Sequence, residues 1–262
     1  RAGLQGKPRR GRSGQPAGAE AGRMKLLALE TATEACSVAL YLDGEVIERF
    51  ELAPRRHAEL TLPWIDELLA RAGIAKSQLD AVACGRGPGA FTGVRLAVAM
   101  TQGLALALDR PAIGVSTLET LALPAMRALD AQGDTRSGVL AAIDARMGEV
   151  YLADYRRNES GAWVRYGEER ILAPSTVVLP DDVPRVGVGT GLAAENATLA
   201  ERLAKQLARI EVTALPHAAD VAHLAAAAYA RGEGMAPEEL QPAYLRNKVA
   251  LTLAEQGKPV PM

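Results

Sequence analysis

Histidine and cysteine are both scarce in this sequence, with three of one and two of the other among 262 residues. A zinc or iron site needs three or more His, Cys or carboxylate ligands within reach of one another. His217 and His223 lie six positions apart, which places them on different faces of a helix. Neither H-x-x-x-H nor H-E-x-x-H occurs, and His57 is interpreted as a residue at a helix terminus. The sequence therefore predicts no metal site and disfavours a metallopeptidase.

The two cysteines, Cys36 and Cys84, each lie inside an apolar run typical of a strand, where a free thiol behaves as a small hydrophobic group. No secretory feature accompanies them, so we expect no disulfide. No serine occupies a G-x-S-x-G motif, and neither cysteine has a partner at the level of a motif. The sequence does not indicate a nucleophilic enzyme.

Net charge is also nearly absent. Thirty basic residues against thirty-one acidic ones leave a formal charge of −1, so no global field attracts nucleic acid or an anionic membrane. Contact with RNA must then be local or supplied by a partner. The candidates are four arginines beside Gly-rich or polar turns, for which simple solvation is the alternative: Arg86, Arg95, Arg146 and Arg246.

Long uninterrupted apolar segments are missing as well, because charged residues break up the candidates before they reach the roughly 20 residues needed to span a bilayer. We therefore expect a soluble, cytoplasmic protein with no membrane contact. Residues 1–23 are rich in Gly, Arg, Pro and Ala and have few large apolar side chains, which predicts a disordered extension. The remainder divides into predicted lobes at 24–125 and 126–262, with the last helix or tail packing back on the first lobe.

What the sequence does contain is a repeat. Residues 29–31 align without a gap with residues 143–145 at an offset of 114, each on a strand followed by a turn and a second strand. A strand ending in G-x-G-x-G recurs at Gly85 and Gly187, at an offset of 102. Both matches occur in the same order, which favours duplication of one α/β unit into two lobes of mixed sheet plus helices.

An acidic residue at the end of such a strand can hold Mg²⁺ or a water, while backbone N–H groups of the turn hold phosphates. The residues that could form this cleft are Glu30, Thr31 and Thr33, Asp144 and Gly148, and Gly187 and Gly189. The alternative is that the fold alone requires these acids and glycines. The dinucleotide spacing G-x-G-x-x-G is absent at both runs. A small-molecule kinase or ATPase that uses Glu30 and Asp144 stays open as an alternative function.

Two predicted helices carry a candidate docking face. In the second helix, small residues recur every four positions and would let another helix approach closely: Gly93, Ala97, Thr101 and Ala105. The first helix adds an apolar row with a possible aromatic anchor: Leu60, Trp64 and Leu68. Packing of the small residues against the protein's own sheet is the alternative, and the sequence does not decide between the two.

Several segments together resemble the bacterial TsaB (YeaZ) family. They are, in order, LALETATEACSVALYLDGEV, GRGPGAFTGVRLAVAMTQGLAL, IGVSTLETLA, LAAIDARMGEVYLADY, VGTG and PAYLRN, and they cover residues 24–249. The resemblance implies an ASKHA (actin-like ATPase) fold and a role in making N6-threonylcarbamoyladenosine at tRNA position 37 (t6A37).

In that family, TsaB is the non-catalytic paralogue that dimerises with the transferase TsaD and assembles with the ATPase TsaE. The resemblance implies that helices 57–72 and 92–108 form the pairing surface, with self-association as a homodimer when the partner is missing. It further implies that tRNA is met indirectly through the complex. We expect no cofactor on this chain itself, and ATP or ADP with Mg²⁺ at the complex interface stays open as an alternative. The transferase carries an H-x-x-x-H metal motif that this sequence lacks.

Overall fold

The computed structural model describes residues 24–246. The expected disorder of residues 1–23 lies outside the described residues, as does the end of the second predicted lobe, 247–262.

The first sheet has five strands in the order β3-β2-β1-β4-β5. The strands are β1 (Lys25–Glu30), β2 (Ala35–Leu42), β3 (Glu45–Leu52), β4 (Ala81–Gly85) and β5 (Ala112–Val115). The first three are antiparallel, joined by hairpins, whereas β4 and β5 are parallel to β1 because a helix precedes each of them. Apolar side chains fill both faces of β1, which predicts cover on both sides.

The second sheet repeats this order as β11-β10-β6-β7-β8, with β9 also paired to β7. Its strands are β6 (Gly138–Arg146), β7 (Glu149–Arg157), β8 (Trp163–Arg165), β9 (Arg170–Leu172), β10 (Arg185–Val188) and β11 (Leu207–Glu211). Antiparallel pairing of β6 with β7 and parallel pairing of β6 with β10 match β1 with β2 and β1 with β4. The predicted duplication and two-lobed α/β fold are confirmed.

Five α-helices cover the sheets: α1 (His57–Ala72), α2 (Phe91–Leu108), α3 (Thr117–Ala131), α4 (Ala194–Arg202) and α5 (Ala218–Ala230). Helices α1 and α2 lie on one face of the first sheet, and α5 lies on the other. Helix α3 lies on the second sheet, where its apolar residues join the core formed with β6, β7 and β10.

The two halves therefore exchange helices. Helix α3 follows β5 of the first sheet but packs on the second, and α5 follows the second sheet but packs on the first. The first sheet also caps α5, because Ser37 Oγ accepts from Ala218 N at 2.9 Å and Glu48 Oε1 accepts from Ala219 N at 3.0 Å. A boundary between residues 125 and 126 is wrong, since it cuts α3 in its middle.

Helix α4 ends at Arg202, and residues 207–211 form strand β11 beside β10. The predicted equivalence of the two glycine runs is corrected. The glycine runs are not equivalent at a constant offset of 102, which would match Ala83 with Arg185. In the sheets Leu27 pairs with Val82, whereas Ala141, its counterpart in β6 at the offset of 114, pairs with Val188.

Candidate partner interface and the closed nucleotide cleft

Glu30, the first cleft candidate, is fully buried at the end of β1. One carboxylate oxygen accepts from Ala32 N at 2.7 Å, and the other accepts from the Thr117 hydroxyl at 3.3 Å. Burial raises the pKa of Glu30 to about 7, against the effect of these hydrogen bonds, which lower it. The carboxyl group thus ties the β1–β2 turn to the start of α3.

Three glycines between the end of β4 and the first turn of α2 bring this segment directly onto the β1–β2 turn. A Cβ added to Gly85 would lie 1.8 Å from Glu30 Oε2, and one added to Gly93 would lie 1.9 Å from Thr31 O. A Cβ on Gly89 would lie 2.4 Å from Ala32 O. These glycines therefore permit close approach of two parts of the same chain, which favours the interpretation that the fold requires them.

The threonines of the first hairpin also find partners inside the chain. The Thr31 hydroxyl donates to Gly93 O at 2.7 Å, and the Thr33 hydroxyl accepts from Ala35 N at 3.3 Å. His57 Nε2 lies 3.0 Å from Thr33 O and 3.2 Å from Ala35 O, so this imidazole bridges α1 and the turn. All three side chains therefore make contacts within the chain that hold the turn in place.

The second hairpin is built differently. Asp144 is partly exposed and accepts from Arg146 N at 2.7 Å and from Arg146 Nη1 at 2.8 Å. Gly189 permits close backbone approach in the same way as the glycines of the first lobe, since its added Cβ would lie 2.3 Å from Ala142 O. Gly187 lies inside β10, where an added Cβ would meet Leu192 at 2.9 Å. Gly148 adopts a positive φ of 76° in the β6–β7 turn.

Within residues 24–246, no group of three or more His, Cys, Asp or Glu side chains could hold a metal ion. The histidines have other neighbours: His217 Nδ1 lies 3.1 Å from Glu48 Oε2, and His223 contacts the edge of Tyr41. Both cysteines are free and buried. Burial raises the pKa of the Cys84 thiol to about 12, which keeps it protonated and unreactive.

The small residues predicted for the docking face point into the protein. Gly93, Ala97, Thr101 and Ala105, which we call the inner ridge, are buried against the first sheet, and so are Trp64 and Leu68. Leu60 is partly buried beside them. The prediction that the buried positions are open to a partner is wrong, because their side chains pack on the protein's own sheet, whereas the prediction for Leu60 stays a prediction.

A second series at the same spacing faces outward. Ala99, Gly103 and Ala107, which we call the outer ridge, are exposed along α2. Leu106 beside them is 70% exposed, and Leu62 on α1 is 49% exposed. A Cβ added to Gly103 would meet nothing within 4 Å. The four-residue spacing that predicted the inner ridge also fits the outer one, so the sequence contained the signal without choosing the face.

Helix α2 is long and apolar enough to cross a membrane by length and composition, with a mean hydropathy of 1.4. Arg95 is the one charge that interrupts this helix. The buried core helix of a folded protein can meet the same criteria, and the inner ridge of α2 packs on the first sheet.

Comparison with known proteins identifies the family to which this fold belongs. A model of the family described as "TsaD: tRNA N6-adenosine threonylcarbamoyltransferase" matches residues 50–253. The Escherichia coli K12 tRNA threonylcarbamoyladenosine biosynthesis protein TsaB is 46% identical over 230 residues, covering 87% of this chain and 96% of the relative. The chain belongs to the TsaB (YeaZ) family.

Other relatives agree with this assignment. The TsaB protein of Haemophilus influenzae is 40% identical over 236 residues, covering 86% of this chain and 95% of its own. YeaZ from Pseudomonas aeruginosa superposes with a TM-score of 0.72 at 44% identity, covering 85% of this chain and all of the other. A P. aeruginosa structure described as similar to peptidase YeaZ gives a TM-score of 0.75 at 46% identity, with the same coverage. Family and actin-like fold, both predicted from the motifs, are confirmed.

Proposed function

We propose that this chain takes part in t6A biosynthesis as a non-catalytic subunit that docks on a TsaD-like transferase. The names of its TsaB relatives support the pathway. The observation that supports a subunit role is the exposed outer ridge with Leu106 beside it on α2, which together with the exposed Leu62 of α1, on the same side of the first sheet, we call the docking face. Large exposed apolar side chains that cluster beside small ones are typical of a helix–helix interface.

The packing of the β1–β2 turn, the first candidate phosphate site, supports the absence of catalysis. The glycines after β4 lie against the β1–β2 turn, and Glu30 and Thr31 bond to their own chain. The partner would therefore supply the reacting groups. We place ATP or ADP with Mg²⁺ at the boundary between subunits, together with a TsaE-like ATPase, and tRNA in the assembled complex.

The docking face also suits self-association. A face that packs helix on helix is self-complementary when two copies meet about a two-fold axis, which gives an isologous homodimer. We propose that the homodimer and the heterodimer compete for Leu106 and its neighbours, so the transferase would displace one copy of this chain.

The test is a pairing assay with Gly103→Leu. Open space around Gly103 lets the larger side chain fit the monomer, while it blocks the approach of a second helix. Size-exclusion chromatography with the transferase should show the heterodimer for the parent chain and separate subunits for the variant. The matched control is Ala227→Leu, at an exposed position of α5 on the opposite side of the first sheet, which should pair normally. Intact pairing of Gly103→Leu would contradict the proposed face.

The kinase or ATPase alternative has its own measurement. Calorimetry with ATP and Mg²⁺ on the isolated chain should give no saturable heat, because the first candidate phosphate turn, at residues 30–33, is packed against Gly85, Gly89 and Gly93. Saturable binding that Asp144→Asn abolishes would favour the enzyme instead.

A further inference from the structure

Residues 240–246 form an extended segment, here called the strap, that crosses from the first lobe to the second. Its beginning lies on α2, where Gln102 Nε2 donates to Leu240 O at 3.0 Å. Its middle follows the glycine loop, where Ala243 N donates to Arg86 O at 2.8 Å. Its end reaches the β6–β7 turn, where the partly buried Arg246 guanidinium donates to Ala145 O at 3.1 Å. The strap thus brings three distant parts of the sequence to one surface.

These three parts are cationic. The segments 85–95, 145–148 and 241–246 contain four arginines and no Asp or Glu, in a chain whose overall charge is −1. Arg146 and Arg246 have carboxylate partners, Asp144 and Glu149. Among the described residues, Arg86 and Arg95 have no such ion pair, and both side chains are exposed. Arg86 and Arg95 therefore leave uncompensated positive charge beside the middle of the strap, at Ala243 and Tyr244, whereas the exposed Glu238 and Glu239 precede its first residue.

Aromatic rings flank this charge. The Arg95 guanidinium stacks 3.6 Å from the ring centroid of Phe91 and donates to the Tyr244 hydroxyl at 2.7 Å. Phe91 is 45% exposed and Tyr244 is 50% exposed, although aromatics make up only 4% of the chain. Their ring centroids lie 6.3 Å apart with planes inclined by 34°. Exposed rings interleaved with unpaired arginines are how proteins hold unpaired nucleotides, by stacking bases and contacting phosphates.

We propose that Arg86, Phe91, Arg95 and Tyr244 bind an unpaired stretch of RNA. The two arginines contact phosphates, and the two rings stack with bases. The site adjoins the docking face, since Arg95 precedes Ala99 of the outer ridge by one helical turn. The choice of tRNA as the natural ligand rests on the proposed function, whereas the RNA-binding surface itself rests on these four side chains.

The experiment measures binding of an unmodified tRNA to the full chain by fluorescence anisotropy, across a series of salt concentrations from about 50 mM upward. Arg86→Ala with Arg95→Ala should weaken binding about tenfold or more and lower the salt slope by about two, because two phosphates are no longer neutralised. The matched control is Arg136→Ala, an exposed arginine just before β6, at the opposite end of that strand from Arg146. It should bind as the parent does.

Phe91→Leu with Tyr244→Leu tests the stacking. It should reduce the preference of the chain for a single-stranded RNA over a duplex of equal length, while the salt slope stays unchanged. Equal affinity of the parent chain for both RNAs would overturn this part of the proposal. Absence of saturable tRNA binding by the parent, or a double arginine variant that binds within twofold of it, would overturn the whole.

Pairing with the transferase separates this inference from the proposed function. The double arginine variant should still form the heterodimer on size-exclusion chromatography. Loss of pairing in that variant would assign the arginines to the docking face and overturn the RNA site. A parent chain that binds tRNA as described but does not pair with the transferase would leave the RNA site standing and refute the proposed docking.

Discussion

The inner and outer ridges of α2 have the same four-residue spacing and opposite surroundings. Gly93 and Ala97 of the inner ridge are buried against the β1–β2 turn and the first sheet, whereas Ala99 and Gly103 of the outer ridge face solvent. Small side chains on the inner ridge are needed for the chain to fold, while small side chains on the outer ridge leave room for something outside it. Spacing alone therefore identifies a helix with two faces narrow enough for close packing, without saying which of them the protein's own sheet covers.

The largest contrast should come from a single methyl group added to each ridge. Gly93→Ala places a Cβ 1.9 Å from a backbone oxygen, so we expect a loss of about 3 kcal/mol or more in the free energy of unfolding, or no folded protein. Gly103→Ala meets open space and should raise stability by up to about 1 kcal/mol, because alanine favours the helix over glycine. Urea denaturation followed by circular dichroism measures both. Equal stabilities would break the distinction between the ridges.

The contrast between buried and exposed positions extends to the two repeated acids. Because the pKa of Glu30 is raised from 4.5 to about 7 in the folded chain, folded protein holds a proton there that unfolded protein has released at intermediate pH. Stability should therefore fall as pH rises from about 4.5 to 7, by about 3 kcal/mol from this group. Glu30→Gln should flatten that part of the pH profile, as measured by urea denaturation at several pH values.

Asp144→Asn is the matched comparison for Glu30→Gln. Asp144 is paired with a guanidinium whose side chain is 81% exposed, so its loss should change stability by less than about 1 kcal/mol. A flattening in Asp144→Asn, or an unchanged slope in Glu30→Gln, would contradict the assignment of the pH dependence to the buried acid.

The smallest expected contrast compares two alanines two residues apart. Ala97→Leu forces three extra carbons into a filled core and should cost about 1–3 kcal/mol, whereas Ala99→Leu on the surface should stay within about 0.5 kcal/mol of the parent. Thermal unfolding of both variants checks this. A similar loss for both would show that the outer ridge is also packed within the monomer.

Much of the fold was predictable because the signals are local. The strands at residues 29–31 and 143–145, each followed by a turn and a second strand, identified β1, β2, β6 and β7, and the repeated order identified two lobes. Strand β11 was missed because its backbone pairing with β10 is a long-range contact. The lobe boundary was placed inside α3 for the same reason, since the periodicity of a helix does not show which sheet the helix covers.

The candidate site was less predictable. The motif around Gly85, Gly89 and Gly93 specified close approach of the backbone to something, and only the folded chain shows that this neighbour is the turn at residues 30–33. The four arginines were identifiable as exposed cations, but nothing in their spacing brings Arg86 near Tyr244. The strap does so because its backbone follows the glycine loop and crosses to the second lobe.

The sequence by itself determined the family, the repeat and the residue types available for chemistry, because motifs, periodicity and ligand counts are properties of the chain alone. The tertiary structure decided which ridge of α2 is exposed, what the first glycine run packs against and which cations lie together. Those questions depend on which surfaces meet. Burial in this protein is created by contacts between elements far apart in sequence, as in the exchange of α3 and α5 between the sheets.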